Sequence, residues 1–173
     1  MELIQAKPED FDRVRAFYDR VIDLTPGMDV HARWKKRLHP SDEGLRGYLA
    51  EGDLYLLEEN GSVAGAMAVT LYQGEDYRPV PWGVAAEDDE VAVLHLLAVD
   101  PDRQGQGVAH RLIGEALALA RRNGKKAFRL DAVSTNAPAR RLYASLDFAF
   151  RGTQNLYAPN TGWTDFCYFE QIL

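Results

Sequence analysis

The sequence predicts one mixed α/β domain over residues 1–173, with helices layered on a sheet in an α+β arrangement. Three observations carry this reading. Stretches with strand character and stretches with helical periodicity alternate along the chain, and no linker-like segment separates them. The run Val91 to Val99 is apolar apart from His95, as in a strand covered on both faces. That run passes through Asp100-Pro101-Asp102-Arg103-Gln104-Gly105-Gln106-Gly107 directly into a long amphipathic helix. At 173 residues and 46% hydrophobic, the chain can bury one substantial core.

Taken in order, Leu3 to Ala6 reads as a short strand. Pro8 to Leu24 reads as a helix, with Phe11, Val14, Phe17, Tyr18, Val21 and Ile22 at helical spacing. Pro26-Gly27 ends it, and His31 to Leu38 is expected to add a helical turn. Ser41 is the expected cap of a helix reaching about Ala50, with Leu45, Tyr48 and Leu49 on one face. Leu54 to Glu58 and Ser62 to Leu71 read as strands joined by a hairpin turn at Glu59-Asn60-Gly61. Tyr72 to Asp89 holds two prolines, two glycines and three aromatics, and loops of this length are uncommon unless functional. After Val91–Val99, a helix over Gly107 to Asn123 packs through Val108, Leu112, Ile113, Ala116, Leu117 and Ala120, and Gly124 closes it. Ala127 to Val133 is a strand, and Asn136 caps a helix to about Leu146 with Pro138 in its first turn. Phe148 to Tyr157 and Asp165 to Ile172 are the last strands.

The net charge of −6 argues against nucleic acid as the main partner. A lone cysteine, Cys167, excludes an internal disulfide and suits a reducing compartment. No apolar run is long enough to span a bilayer, and the first residues lack a secretory apolar core. A cytoplasmic protein is the expectation. Charge changes sign at the glycine turn: Glu87 to Asp102 carry six acids and no base, whereas Arg103 to Arg129 carry seven bases and one acid. A basic segment beside such a turn favours a polyanionic ligand, although Arg121, Arg122, Lys125 and Lys126 also read as an ordinary solvated helix face.

A glycine-rich turn at a helix start presents unpaired N–H groups to one point, with the helix dipole behind them. Two familiar phosphate cradles fail here. A dinucleotide fingerprint needs a third glycine where His110 stands, and a nucleoside-triphosphate loop needs Lys-Ser/Thr where Val108 stands. The segment Gln104-Gly105-Gln106-Gly107-Val108-Ala109 instead resembles the pyrophosphate motif Gln/Arg-x-x-Gly-x-Gly/Ala of the GNAT (Gcn5-related N-acetyltransferase) family. Asn136, Ala139, Leu142, Tyr143, Leu146 and Phe148 match a second family block, Asn-x-x-Ala-x-x-Leu-Tyr-x-x-x-Gly-Phe. Asp147 stands where the family has glycine, which predicts a residue with positive φ there.

The resemblance implies the acyl-CoA N-acyltransferase fold: a mixed, mostly antiparallel sheet of about seven strands, splayed at its centre, with helices on both faces. It implies acetyl-CoA as donor, an amine as acceptor and no metal. Backbone N–H groups from Gln104 through Gly105, Gly107, Val108 and Ala109 would hold the pyrophosphate. Leu97, Ala98 and Val99 would line the pantetheine arm, which pairs as an added strand. Arg103 or Arg140 would reach the nucleotide phosphate, and Asn136 and Tyr143 would complete the donor site. Tyr143 matches the family's proton donor to the departing thiolate.

His95 is the candidate base, expected on the same face of its strand as Val99, and Glu90 acting through water is the reserve. In isolation Tyr143 also reads as a core tyrosine on a packed helix, although the matched block favours the functional role, and His95 reads equally as a neutral core histidine. The acceptor is expected to be a small-molecule amine, among Tyr72, Tyr77, Trp82, Trp34 and Tyr168, with Asp76, Glu87 or Asp88 attracting its charge. A protein or peptide N-acetyltransferase and a CoA-binding regulatory module without turnover remain alternatives. The closing strand Asp165–Ile172 is a candidate to pair across a homodimer.

Overall fold

The computed structural model describes all residues, 1–173. The chain runs β1 (Glu2–Gln5), α1 (Phe11–Leu24), α2 (Asp42–Glu51), β2 (Leu54–Glu59), β3 (Ser62–Thr70), β4 (Val91–Val99), α3 (Val108–Arg122), β5 (Ala127–Val133), α4 (Ala137–Ser145), β6 (Ala149–Ala158) and β7 (Gly162–Ile172). The strands form one seven-stranded sheet in the order β1-β2-β3-β4-β5-β7-β6. All neighbours are antiparallel except β4 and β5. No helix is long and apolar enough to cross a membrane.

The periodicity of the helices decides which side of the sheet each covers. Leu112, Ile113 and Ala116 of α3 and Tyr143 of α4 pack with Met67, Leu94, Phe128 and Leu130 on one face. Val14 and Tyr18 of α1 and Leu45 and Leu49 of α2 pack with Leu54, Leu56, Ala66 and Ala98 on the other. Beyond α1 and α2 that second face is closed by the loop 71–90, whose Tyr77 and Val80 join Val91, Val93 and Tyr168. Residues Val91 to Leu94 are therefore no more than 4% exposed, as the unbroken apolar run requires. The Ser41 side chain accepts from the Gly44 N–H at the start of α2, and the Asn136 side chain from the Ala139 N–H at the start of α4.

Two expectations are overturned. His31 to Leu38 forms no helix, and Arg33 and Arg37 sit at positive φ. Arg33 ties the segment to the β6–β7 hairpin: it donates to Thr161 O and Thr164 Oγ1, and Asn160 donates to Arg33 O. The closing strand starts at Gly162 and lies between β5 and β6. Its residues Phe166 to Glu170 pair on both sides, so it is an interior strand, and β6 and β1 are the sheet's edges.

The middle of β4 carries the feature that shapes the site. Ala66 pairs with Ala98 and Ala68 with His95, so β4 contains one more residue than β3 over this span. The bulge is at Leu96, which adopts φ 53. A left-handed conformation costs a non-glycine residue about 1–2 kcal/mol. The buried Tyr18 hydroxyl holds it by donating to Leu96 O at 2.8 Å. Tyr18→Phe is expected to lower stability by about 1–3 kcal/mol, read by urea denaturation, because it orphans that carbonyl. The extra residue also shifts the alternation by one. His95 shares a face with Ala98 and not with Val99, contrary to the expectation from an unbroken strand.

Candidate active site

β4 and β5 pair only from Val91↔Ala127 to Leu94↔Leu130, although the strands run on to Val99 and Val133. Past Leu94 they diverge, and a cavity of about 750 Å³ occupies the opening. It is lined from both sheet faces and from the turn before α3. Among the lining residues are Leu97, Ala98, Val99, Arg103, Gln104, Gly105, Gly107, Val108, Ala109, Asn136 and Tyr143, named for the donor, and His95, the candidate base; Arg140 and Glu90 are not among them.

One end of the cavity is an anion cradle. Gly105 and Gly107 take φ 75 and 79, which turns successive N–H groups toward the same point. No N–H from Gly105 to His110 has a backbone partner, and the first helical bond runs from Arg111 to Gly107 O at 3.0 Å. The first turn of α3 contains no acidic residue. A Cβ at Gly105 or Gly107 would meet no protein atom within 4 Å, so their backbone borders open space. Arg103 lines the cavity but is paired with Glu59, and Arg140 donates to Ser134 O. Along β4, the Asp100 N–H is used by Ala64 O on β3. By strand alternation Val99 and Leu97 aim their backbone polar groups at the splayed side.

Tyr143 reaches the cavity from α4 and is 6% exposed. Its ring packs against Phe148 and Phe169, and its hydroxyl has no protein partner. Burial first, and then the charge of Asp131, raises the phenol above its usual value, so it stays protonated at neutral pH. Asp147, after α4, has φ 61, as its place in the motif requires.

His95 enters from the opposite sheet face. Its Nε2 lies 3.2 Å from Thr70 Oγ1, whose single proton is donated to Tyr72 O at 2.8 Å. Nε2 is therefore the donor in this contact, and Nδ1 carries the free lone pair. Burial, helped by His39, pushes the imidazole down to about 4. Glu90 does not line the cavity. It is bound to Lys126 at 2.6 Å and to the Glu87 N–H at 2.9 Å, both of which hold it ionised below the usual carboxylate range.

The acceptor half differs from the sequence expectation. Of the five aromatics named for it, only Trp34 lines the cavity; Tyr48 and Phe166 do so unforeseen. Tyr77, Trp82 and Tyr168 are packed on one another with ring centroids 5.3–6.0 Å apart. Asp76, Glu87 and Asp88 stay outside, with Asp88 held by Arg78 and Gln73. The carboxylate that does line the cavity is Asp131, the next residue on β5 after the last β4 pair. Its signal in the sequence was an acid between Leu130 and Ala132 in an otherwise core-forming strand.

A model of the acetyltransferase (GNAT) family matches residues 14–148. An uncharacterised protein of Mycobacterium leprae is 39% identical over 69 residues, which span 40% of this chain and 18% of that protein. A putative acetyltransferase of Salmonella typhimurium, solved with its cofactor acetyl-CoA, superposes with TM-score 0.70 at 21% identity, covering 100% of this chain and 94% of that one. A GNAT-family acetyltransferase of Streptococcus agalactiae gives TM-score 0.80 at 17% identity, covering 99% and 95%. The ribosomal-protein-alanine N-acetyltransferase of Brucella melitensis gives 0.71 at 18% identity, covering both chains fully. At these identities the likeness is one of fold.

Proposed function

The chain belongs to the acetyltransferase (GNAT) family, and from that premise we propose that it moves an acetyl group from acetyl-CoA to a small primary amine by direct attack. The observation that carries this is the continuous cavity joining an unpaired N–H cradle, a splayed strand edge and a free phenol on one side to an aromatic chamber on the other. The residues fit the donor. Gln104 to Ala109 supply N–H groups for a pyrophosphate, and Leu97 and Val99 supply a strand edge for an amide-bearing arm. Asn136, already the cap of α4, borders that arm. When bound, acetyl-CoA supplies an activated thioester.

Tyr143 and His95 face that thioester from opposite sides of the sheet. Tyr143 donates to the departing sulfur. His95 Nδ1 accepts a hydrogen bond from the attacking amine and aligns its lone pair, while Nε2–H stays fixed on Thr70. With its imidazole near 4, His95 orients the nucleophile better than it stores a proton. The Val99 N–H at the splayed edge stabilises the thioester oxygen as it gains charge.

Direct attack requires both substrates to be bound together. Initial-velocity plots with both concentrations varied should intersect, and parallel lines would contradict the proposal. Gly107→Ala forces a Cβ onto φ 79 and into the cradle. It is expected to raise the KM for acetyl-CoA about tenfold, from strain of 1–2 kcal/mol, with the KM for amine unchanged.

A further inference from the structure

We propose that Asp131 is both the anchor and the first proton acceptor for the acceptor amine, and that the acceptor is a primary amine with one positive charge and an apolar body. The inference rests on the acetyltransferase reading and deepens it. Asp131 is the only acid lining the cavity. It forms no ion pair with any Arg, Lys or His of the protein. Its Oδ1 accepts from the Tyr77 hydroxyl at 2.5 Å, and its Oδ2 has no partner. A half-buried carboxylate without a cation is costly to keep unless a ligand provides one. Trp34, Tyr48, Phe166, Met28 and Ala32 line the same cavity, which suits an apolar body and favours a cation at its edge.

Position supports the chemistry. Leu94↔Leu130 is the last strand pair, so His95 and Asp131 are the next residues on the two strands, on one face at the mouth of the splay. The ammonium binds Oδ2 and gives it one proton, which frees the nitrogen lone pair. The C–N bond forms and the C–S bond breaks. The second proton leaves nitrogen for the thiolate, by way of Tyr143, and Asp131 returns its proton to water. Burial pushes Asp131 up to about 6, opposed by the Tyr77 hydrogen bond and aided by Asp76. The groups facing it are Tyr48 from α2, Tyr77 and Asp76 from the loop, His95 from β4, Tyr143 from α4 and Tyr168 from β7. Asp131 is thus a stronger base than His95, a reversal of their ordinary order. A polycation such as a polyamine would bring further charges to a wall that holds no second acid.

The test compares phenethylamine with spermidine, using thiol release from acetyl-CoA by the parent, Asp131→Asn and His95→Gln. Phenethylamine should exceed spermidine in kcat/KM by at least about tenfold. Asp131→Asn should lose about 100-fold in kcat/KM for phenethylamine with the KM for acetyl-CoA unchanged. Its melting temperature at pH 7.5 should rise, because the folded state no longer holds a charge that burial disfavours. The parent's kcat/KM should fall as pH drops through about 6, and this limb should persist in His95→Gln and vanish in Asp131→Asn. Spermidine as the better substrate, or an Asp131→Asn enzyme with parental kinetics and pH profile, would overturn the inference and leave the acetyltransferase reading standing. A parent that releases thiol with no amine would overturn both.

Discussion

Tyr143→Phe is expected to lower kcat about 100-fold, the scale of one general acid, while leaving the KM for acetyl-CoA within about twofold. The hydroxyl has no protein partner, and the ring contacts with Phe148 and Phe169 survive in phenylalanine, so thermal melting should not move. An ordinary phenol and an ordinary thiol differ so that full proton transfer is uphill by about 2 kcal/mol. Burial raises the Tyr143 phenol further, which keeps the donor protonated, so it passes a proton to sulfur only as it takes one from nitrogen. Because the phenol lies above its usual value, no basic limb in kcat should arise from Tyr143 below pH 10. Parental kcat in the variant would remove Tyr143 from the mechanism.

The largest stability effect should come from Glu170→Leu, about 3–5 kcal/mol, or on the order of 10 °C in melting temperature. The Glu170 and Arg129 side chains are 0% and 1% exposed. Glu170 accepts from Arg129 at 3.1 Å, from Arg151 at 2.9 Å and from the Gly83 N–H at 2.7 Å. Arg129 also donates to Gln73 Oε1 and Val84 O, and its guanidinium lies 4.2 Å over the Trp82 ring. The pair thus ties the loop 71–90 to the sheet. Removing one partner leaves a buried unpaired charge, and the double variant Arg129→Met/Glu170→Leu should recover most of the loss. Since Tyr77 belongs to the same loop, Glu170→Leu should also weaken the KM for amine, read in the same steady-state assay.

What was legible in the sequence was what local backbone geometry dictates. The glycines at 105 and 107 are needed for their positive φ, the helix cap needs Asn136, and Asp147 occupies the left-handed turn that its place in the motif demanded. The splay was implied by the family resemblance, and the β4–β5 pairing that stops at Leu94↔Leu130 agrees with it. What was not legible depends on contacts between distant segments. Leucine gives no local sign of a bulge; the one at Leu96 is held by Tyr18, 78 residues away, and it moves His95 to the other face from Val99. Glu90 looked close to the chemistry in sequence, yet Lys126 and the Glu87 N–H occupy its carboxylate. Arg129 and Asp131 both interrupt an apolar strand on one face. The first finds Glu170, and the second finds no protein cation.

Amine-dependent thiol release from acetyl-CoA tests the central claim most directly. With a primary amine present, the parent should release CoA thiol in step with formation of the acetylated amine. Without amine, release should fall to the uncatalysed level. Equal release with and without every amine tried would contradict a transferase that brings the two substrates together at the mouth of β4 and β5.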